Sequence, residues 1–478
     1  MIAVDYYNDS QCTLSGPELD IIREHFSVEN KAARFQRRFR SRFIKDRVYA
    51  VTPKGKVDIG LLPEVFKYCE DKSIKVKFND DKVFAVLKPT LPKPKIEYDL
   101  HLPLRDYQQE IVDKCINAGR GTVVLATAGG KTLTMASLLE YYFQNVNKFF
   151  TGLIIVPDLG LVNQTHGDFN EYKVGFTHSI WSGNNELNLS NNIVVANMGI
   201  LQSDKSDVSW ISDIDLLIVD ETHKLRRDNK INKVIKAVKT NHKFGFTGTL
   251  PEEPLDKWNI FGKIGPKLYE KMAYELRDDS YVTPARVHIL RLNYKAKHHE
   301  IYDKTNPMNF FLQEKEFIKG NEYRNTLIGK LSKRLDNNSL ILIDYIEHGE
   351  ILLDYVKRYC PDKHVYFIQG EVAVDERKRI QTLMETETNV VVIAISKIFS
   401  TGINIKNLHY IVFANGGKAK VRIIQSIGRG LRLHSNKKEL IIFDIADNLT
   451  YGERHATQRE RLYEIENINY EHTEHFEK

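Results

Sequence analysis

At 478 residues the chain is too long for one ordinary hydrophobic core, and ~100–200 residues per domain implies two to four domains. Hydrophobic residues at 42% and charged residues at 28% exclude wholesale disorder, and no apolar run approaches the ~18 residues that cross a membrane. Cys12, Cys69, Cys115 and Cys360 form no CxxC pair, which argues against a disulfide framework or cysteine-held zinc and for a reducing, cytoplasmic setting. The N-terminus MIAVDYYNDS lacks the basic start and apolar stretch of a signal peptide.

The first zone, residues 1–96, is short, mixed and basic. Net charge over the whole chain is only +6, yet residues 31–56 carry ten basic side chains against Asp46 alone. That clustering is the electrostatic footprint of a phosphate-backbone binder, with Arg34, Arg37, Arg38, Arg40 and Arg42 as its candidate contacts. A solvated helix or a dock for an acidic protein is the plainer alternative, and the charge ratio favours nucleic acid. Phe35, Phe39 and Phe43 recur every four residues, as one face of a helix would. Residues 48–57 predict a hairpin turning at Pro53-Lys54-Gly55, then a helix near 63–71 and a strand near 74–78. The stretch 88–95, KPTLPKPK, predicts a stiff linker.

From residue 97 to 285, strand-like runs at 121–126, 153–157, 193–196, 216–220 and 243–247 alternate with helical patterns. The alternation returns over 286–450, with runs at 339–344, 365–369, 390–394, 410–414 and 440–444. Two α/β domains with parallel sheets therefore follow the basic one, and their cleft is the natural active site. Residues 451–478 are left as a tail, in which His455, His472 and His475 fit a solvated face better than metal ligation. Trp181, Trp210 and Trp258 show no stacking-platform pattern and are placed in core or loops.

The first run leads into Thr127-Ala128-Gly129-Gly130-Lys131-Thr132 and a helical pattern. Small residues let backbone amides approach phosphates, Lys131 would neutralise them, and the Thr132 hydroxyl would ligate Mg²⁺. Leu125 stands where the full phosphate-loop pattern has its first glycine, so an ordinary strand–turn–helix corner stays open at this point. The run 216–219 enters Asp220-Glu221-Thr222-His223, where Asp220 suits an Mg²⁺-bound water and Glu221 a base for the attacking water. Arg429 and Arg432, within QSIGRGLR, are three apart and would share one helix face, as cross-cleft arginine fingers or as plain surface residues.

Phosphate loop, DETH box and QSIGRGLR, in this order over tandem α/β domains, resemble a superfamily 2 helicase or translocase of the DExH type. The resemblance spans residues 100–445 and implies two RecA-like domains behind a small α+β N-terminal domain, with ATP and Mg²⁺ as cofactors. It implies that Gln108, beside Arg105, reads adenine. Val156-Pro157 through Gln164 resembles motif Ia, with Pro157 on the strand, and Val195–Gly199, with Asn197, resembles the next strand-contacting motif. Thr247-Gly248-Thr249 resembles the motif coupling hydrolysis to nucleic acid, and the segment Thr401, Gly402, Asn404 resembles motif V, with Thr401 on the strand and Gly402 and Asn404 on the nucleotide. A narrower likeness is to UvsW-type bacteriophage helicases, relatives of RecG-like branch-migration motors, through FSTGINIKNLHYIVFANG at 399–416 and the neighbourhood of His434. This implies an ATPase that remodels branched, forked or single-stranded DNA, with RNA–DNA hybrids and recombination or single-strand-binding proteins as further partners and no membrane. A DExH RNA helicase, a restriction-system motor and an annealing protein with a vestigial nucleotide site are the alternatives.

Overall fold

The computed structural model describes residues 1–30, 46–93, 100, 102–183, 185–306, 308–369, 374–396, 405–416, 427–428, 430–431, 433–434 and 436–478. The chain divides into two compact units, Met1–Leu125 with Gly130–Lys271, and Met272–Lys478 with Ala126–Gly129.

In the first unit, β1 (Ile2–Asn8) alternates buried Ile2 and Val4 with half-exposed neighbours, the signature of a strand with one wet face. It pairs antiparallel with β2 (Gln11–Ser15). β3 (Ser27–Glu29) and β4 (Arg47–Tyr49) make a separate two-stranded ribbon. β5 (Lys56–Asp58) and β6 (Val76–Phe78) flank the first pair, giving the order β5-β2-β1-β6. The hairpin expected over 48–57 is therefore not formed. The turn exists, Thr52 N–H reaching Lys56 O at 3.0 Å, but it hands the chain from one sheet to another. The expected helix is present as Leu62–Asp71, with proline in its first turn, where a missing N–H costs nothing. The helix expected through Phe35, Phe39 and Phe43 lies outside the described residues, as do positions 94 and 95 of the expected linker.

Seven parallel strands follow: β7 (Gly121–Leu125), β8 (Gly152–Val156), β9 (His178–Trp181), β10 (Ile193–Asn197), β11 (Leu216–Asp220), β12 (Lys243–Thr247) and β13 (Lys267–Lys271). Their order is β13-β7-β12-β11-β8-β10-β9. β7, β8, β11 and β12 are buried along their whole length, as expected for a parallel sheet covered on both faces. Because β12 lies between β7 and β11, the loops leaving these three strands are neighbours at the carboxyl end. The small N-terminal sheet shares one continuous core with this one, from Ile2 and Val57 through to Phe261 and Ile264. At the seam a Cβ on Gly60 would stand 2.1 Å from the Phe261 carbonyl oxygen, so only glycine fits. Buried Arg120 donates to the carbonyls of Ile264 (2.9 Å) and Val86 (3.2 Å), and Lys263 pairs with Asp58.

The second unit repeats the plan with β14 (Ala285–Asn293), β15 (Ser339–Ile343), β16 (His364–Ile368), β17 (Val390–Ile395), β18 (Tyr410–Phe413), β19 (Leu440–Asp447) and β20 (Asn469–Phe476). The order is β16-β17-β15-β18-β19-β14-β20, all parallel. The residues after 450 are thus no tail. The helix Thr450–Ile465 carries the chain over to β20, which extends the sheet beside β14. Arg459 on that helix forms a buried ion pair with Asp444, and His455 is buried with Nδ1 3.0 Å from the Gly416 carbonyl, not on a solvated face. Trp181 is buried edge-on to Trp210, and Trp258 packs on Phe26, as core assignments require. Two tandem RecA-like sheets behind a small α+β domain make this an α/β protein of the P-loop class. Among the described residues no helix is long and apolar enough to cross a membrane.

Candidate active site

Five small residues, Ala126 to Gly130, join β7 to the helix Lys131–Tyr141. Ala128 (φ 68°) and Gly130 (φ 80°) are both left-handed, which curls the loop at the helix start, where the Gly129 N–H closes a turn onto Ala126 O at 3.0 Å. At Gly130 a side chain is excluded twice, by φ and because a Cβ would lie 2.2 Å from Gln108 Nε2. Lys131 opens the helix with Nζ 3.4 Å from Leu125 O and 3.8 Å from Glu221 Oε1. Thr132 follows it in the first turn.

Gln108 is 2% exposed on the helix Asp106–Ala118. Its Oε1 accepts from the Arg105 N–H at 2.9 Å and its Nε2 donates to Gly130 O at 3.4 Å. The expected adenine reader thus also supports the phosphate loop from behind. Arg105 NH1 donates to the Tyr107 hydroxyl at 3.0 Å.

Asp220, 5% exposed, ends β11 and accepts the Glu221 N–H at 2.8 Å. Glu221 is left-handed (φ 52°), a strained conformation for a residue with a side chain, and the strain swings its carboxylate toward Lys131. Burial, reinforced by the Glu221 charge, raises the Asp220 pKa. Burial opposes ionisation of Glu221 as well, but the nearby Lys131 charge outweighs it and holds that carboxylate below its usual range. His223 Nδ1 lies 3.0 Å from Thr247 Oγ1, whose own hydrogen goes to Thr249 O at 2.8 Å. The Nδ1 hydrogen must therefore point to Thr247. Glu221 Oε2, 3.0 Å from the same nitrogen, is left without a full hydrogen-bond partner although buried.

This arrangement fits a nucleotide and a divalent cation. A glycine-walled loop and a helix start face anions, and two adjacent buried carboxylates outnumber the one lysine between them. Lys131, Asp220 and Glu221 meet, and Gln108 reaches the loop they share. Pro157 and Asn197 follow or end β8 and β10 along the same sheet edge, and the Asn197 side chain caps the next helical turn through Ile200 N–H at 3.2 Å. Arg34, Arg37, Arg38, Arg40, Arg42, Thr401, Gly402, Asn404, Arg429 and Arg432 lie outside the described residues. His223 and Thr247 were the link that motif reading did not assign to the site. Their signal was present as DETH and TGT, but their contact depends on β12 lying beside β11.

Residues 101–252 match the family model for the res subunit of type III restriction enzymes, and 322–434 that for the helicase conserved C-terminal domain. The chain is 27% identical over 482 residues to the ATP-dependent DNA helicase uvsW of Enterobacteria phage T4, covering 94% of each. It is 24% identical to the DNA 3'-5' translocase XPB2 of Sulfurisphaera tokodaii, over 83% of this chain and 91% of that one. Among solved structures, the type ISP restriction–modification enzyme LlaBIII aligns with a TM-score of 0.56 at 15% identity, over 84% of this chain and 32% of that one, a likeness of fold alone. With phosphate loop, DETH box and both parallel sheets in place, these matches show an ATP-hydrolysing helicase motor that is similar to the UvsW-type helicases of superfamily 2.

Proposed function

We propose that the protein is an ATP-dependent DNA helicase or translocase that remodels branched DNA, by branch migration, fork regression and unwinding of R-loops or D-loops. The observation that carries the motor reading is the meeting of Lys131 and Glu221 at 3.8 Å, with His223 joining the DETH box to Thr247. The loop amides and Lys131 bind and orient the β- and γ-phosphates, and Glu221, kept ionised by Lys131, accepts a proton from the attacking water. Thr132 and Asp220 would hold Mg²⁺, which neutralises phosphate charge when bound. The His223–Thr247 bond gives nucleotide-dependent movement of Glu221 a path into the loop after β12. Arg429 and Arg432 are expected to stabilise transition-state charge, and Pro157, Asn197 and Thr401 to follow one strand.

Support for branched DNA comes from the ten cations of residues 31–56 and from the match over nearly the whole chain to a phage DNA helicase. The test is ATP-driven unwinding of matched fork, four-way junction, R-loop and RNA-duplex substrates. Preference for the junction and fork is expected. Turnover on the RNA duplex alone would replace this reading with an RNA helicase.

A further inference from the structure

The seam between the N-terminal sheet and the first motor sheet holds a concavity of about 340 Å³. Five cations line it, Lys56, Arg227, Lys233, Lys236 and Lys263, against a single acid, Asp58. Asp58 is shared, pairing with buried Lys263 and lying 3.6 Å from Lys236. One carboxylate cannot balance five cations, so the wall carries a standing positive charge.

Three of the cations, Arg227, Lys233 and Lys236, belong to the stretch just downstream of the DETH box or to the helix Ile231–Ala237 that follows it. Arg227, Lys230, Lys233, Lys236 and Lys239 recur at three-residue steps, and residues 224–239 hold seven cations against Asp228. The bland reading is the wet face of an amphipathic segment whose Ile231, Val234, Ile235 and Val238 are buried. The distribution of partners argues otherwise. Surface acids answer the flanking members, Lys230 by Asp204 (3.8 Å) and Lys239 by Asp213 (3.2 Å). Of the members that border the cavity, Lys236 shares Asp58 with Lys263, while Arg227 and Lys233 form no ion pair among the described residues, and Lys56 joins them on the cavity wall from the N-terminal sheet. Cations from two sheets of one compact unit thus converge on one hollow.

The aromatic rings beside the hollow are already engaged. Trp258 packs on Phe26 at 5.2 Å, and Tyr49 lies under Arg23 at 4.9 Å. A site without a free ring to stack bases, yet rich in cations, is suited to phosphates rather than to unstacked bases. We propose that this seam grips the phosphate backbone of a duplex arm, as a nucleic-acid site additional to the single-strand path. The inference rests on DNA being the substrate.

The test is equilibrium binding of a fluorescent blunt duplex and of a single strand of equal length to the full chain, over a series of salt concentrations. The variant is Arg227→Gln with Lys233→Gln, both exposed positions, with melting temperature as the folding control. Two lost phosphate contacts should flatten the duplex slope of log K against log salt by about 2 and weaken duplex binding, while single-strand binding keeps its wild-type slope. A correctly folded variant with the wild-type duplex slope overturns the proposal, and so does equal flattening for both probes, which would make the seam a general strand path. A wild-type chain that holds neither probe instead fails the DNA reading on which the inference stands.

Discussion

At the scale of single residues, the site works through charges forced close together. Lys131→Ala and Glu221→Gln should each abolish strand-stimulated ATP hydrolysis, by about 10²-fold or more, with the melting temperature nearly unchanged. Glu221→Gln should still bind nucleotide, because the loop amides and Lys131 remain, and nucleotide-binding and turnover assays on the same sample separate these effects. A second residue contributes to acid stability. His348 is buried with Nε2 3.3 Å from Asn325 Oδ1, whose amide nitrogen is spent on Lys319 O, so the ring must donate. Burial, then nearby Arg324, lowers its pKa to about 3; Lys315 and Lys319 act the same way, and Asp447 opposes them. The unfolded chain therefore takes up the proton first. The stability contributed by this group is complete above about pH 6.5 and is lost as pH falls toward 3, at up to about 1.4 kcal/mol per unit. His348→Gln, which keeps a donor but cannot titrate, should flatten urea-midpoint loss in that window, while carboxylates such as Asp447, held low, act only below their ordinary range. The catalytic letters were legible because chemistry restricts them to few residue types. His348 was not, since a histidine's burial depends on what packs over it.

At the scale of elements, the ten strand-like runs of the two α/β domains could be read because buried parallel strands are near-continuous apolar segments. Pairings were harder. The hairpin reading of 48–57 found its turn but not its partners, since β4 and β5 are three residues each and bond to β3 and β2. β20 was missed because NYEHTEHF is mostly polar, with only Tyr470 and Phe476 as aromatics, as an edge strand tolerates, and the strand it pairs with among the described residues, β14, lies far upstream. The join of the two sheets of the first unit was equally silent. It rests on Arg120, which precedes β7, is 4% exposed, and has its pKa lowered to about 10 by burial. Arg120→Met would strand the Ile264 and Val86 carbonyls and should cost about 2–4 kcal/mol, read as a lower urea midpoint. Arg120→Lys should recover only part, because one ammonium cannot match the fork of a guanidinium.

At the scale of the whole molecule, the expected basic grip of residues 31–56 awaits its own test. If about six of its ten cations meet phosphates, this zone should contribute about −5 to the slope of log K against log salt. Replacing Arg37, Arg38, Arg40 and Arg42 by Gln should flatten that slope by roughly 3–4, and junction unwinding should fall much further than hydrolysis at saturating single strand. Unchanged slopes would turn the cluster into a solvated face or a protein dock.

The common core of the two N-terminal sheets also constrains how such a chain can be cut or recombined. A protein whose accessory module hangs on a linker can lose or exchange that module without harm to its engine. Here the surface beneath the module is interior, with Phe261 and Ile264 2% and 0% exposed and Arg120 bonded across to Val86. Deleting the first ninety-odd residues would bare an apolar floor and break the support of β7, the strand that delivers the phosphate loop. The module and the engine are consequently one folding unit, so a change in what the module binds would come by substitution on its existing surface rather than by swapping the domain.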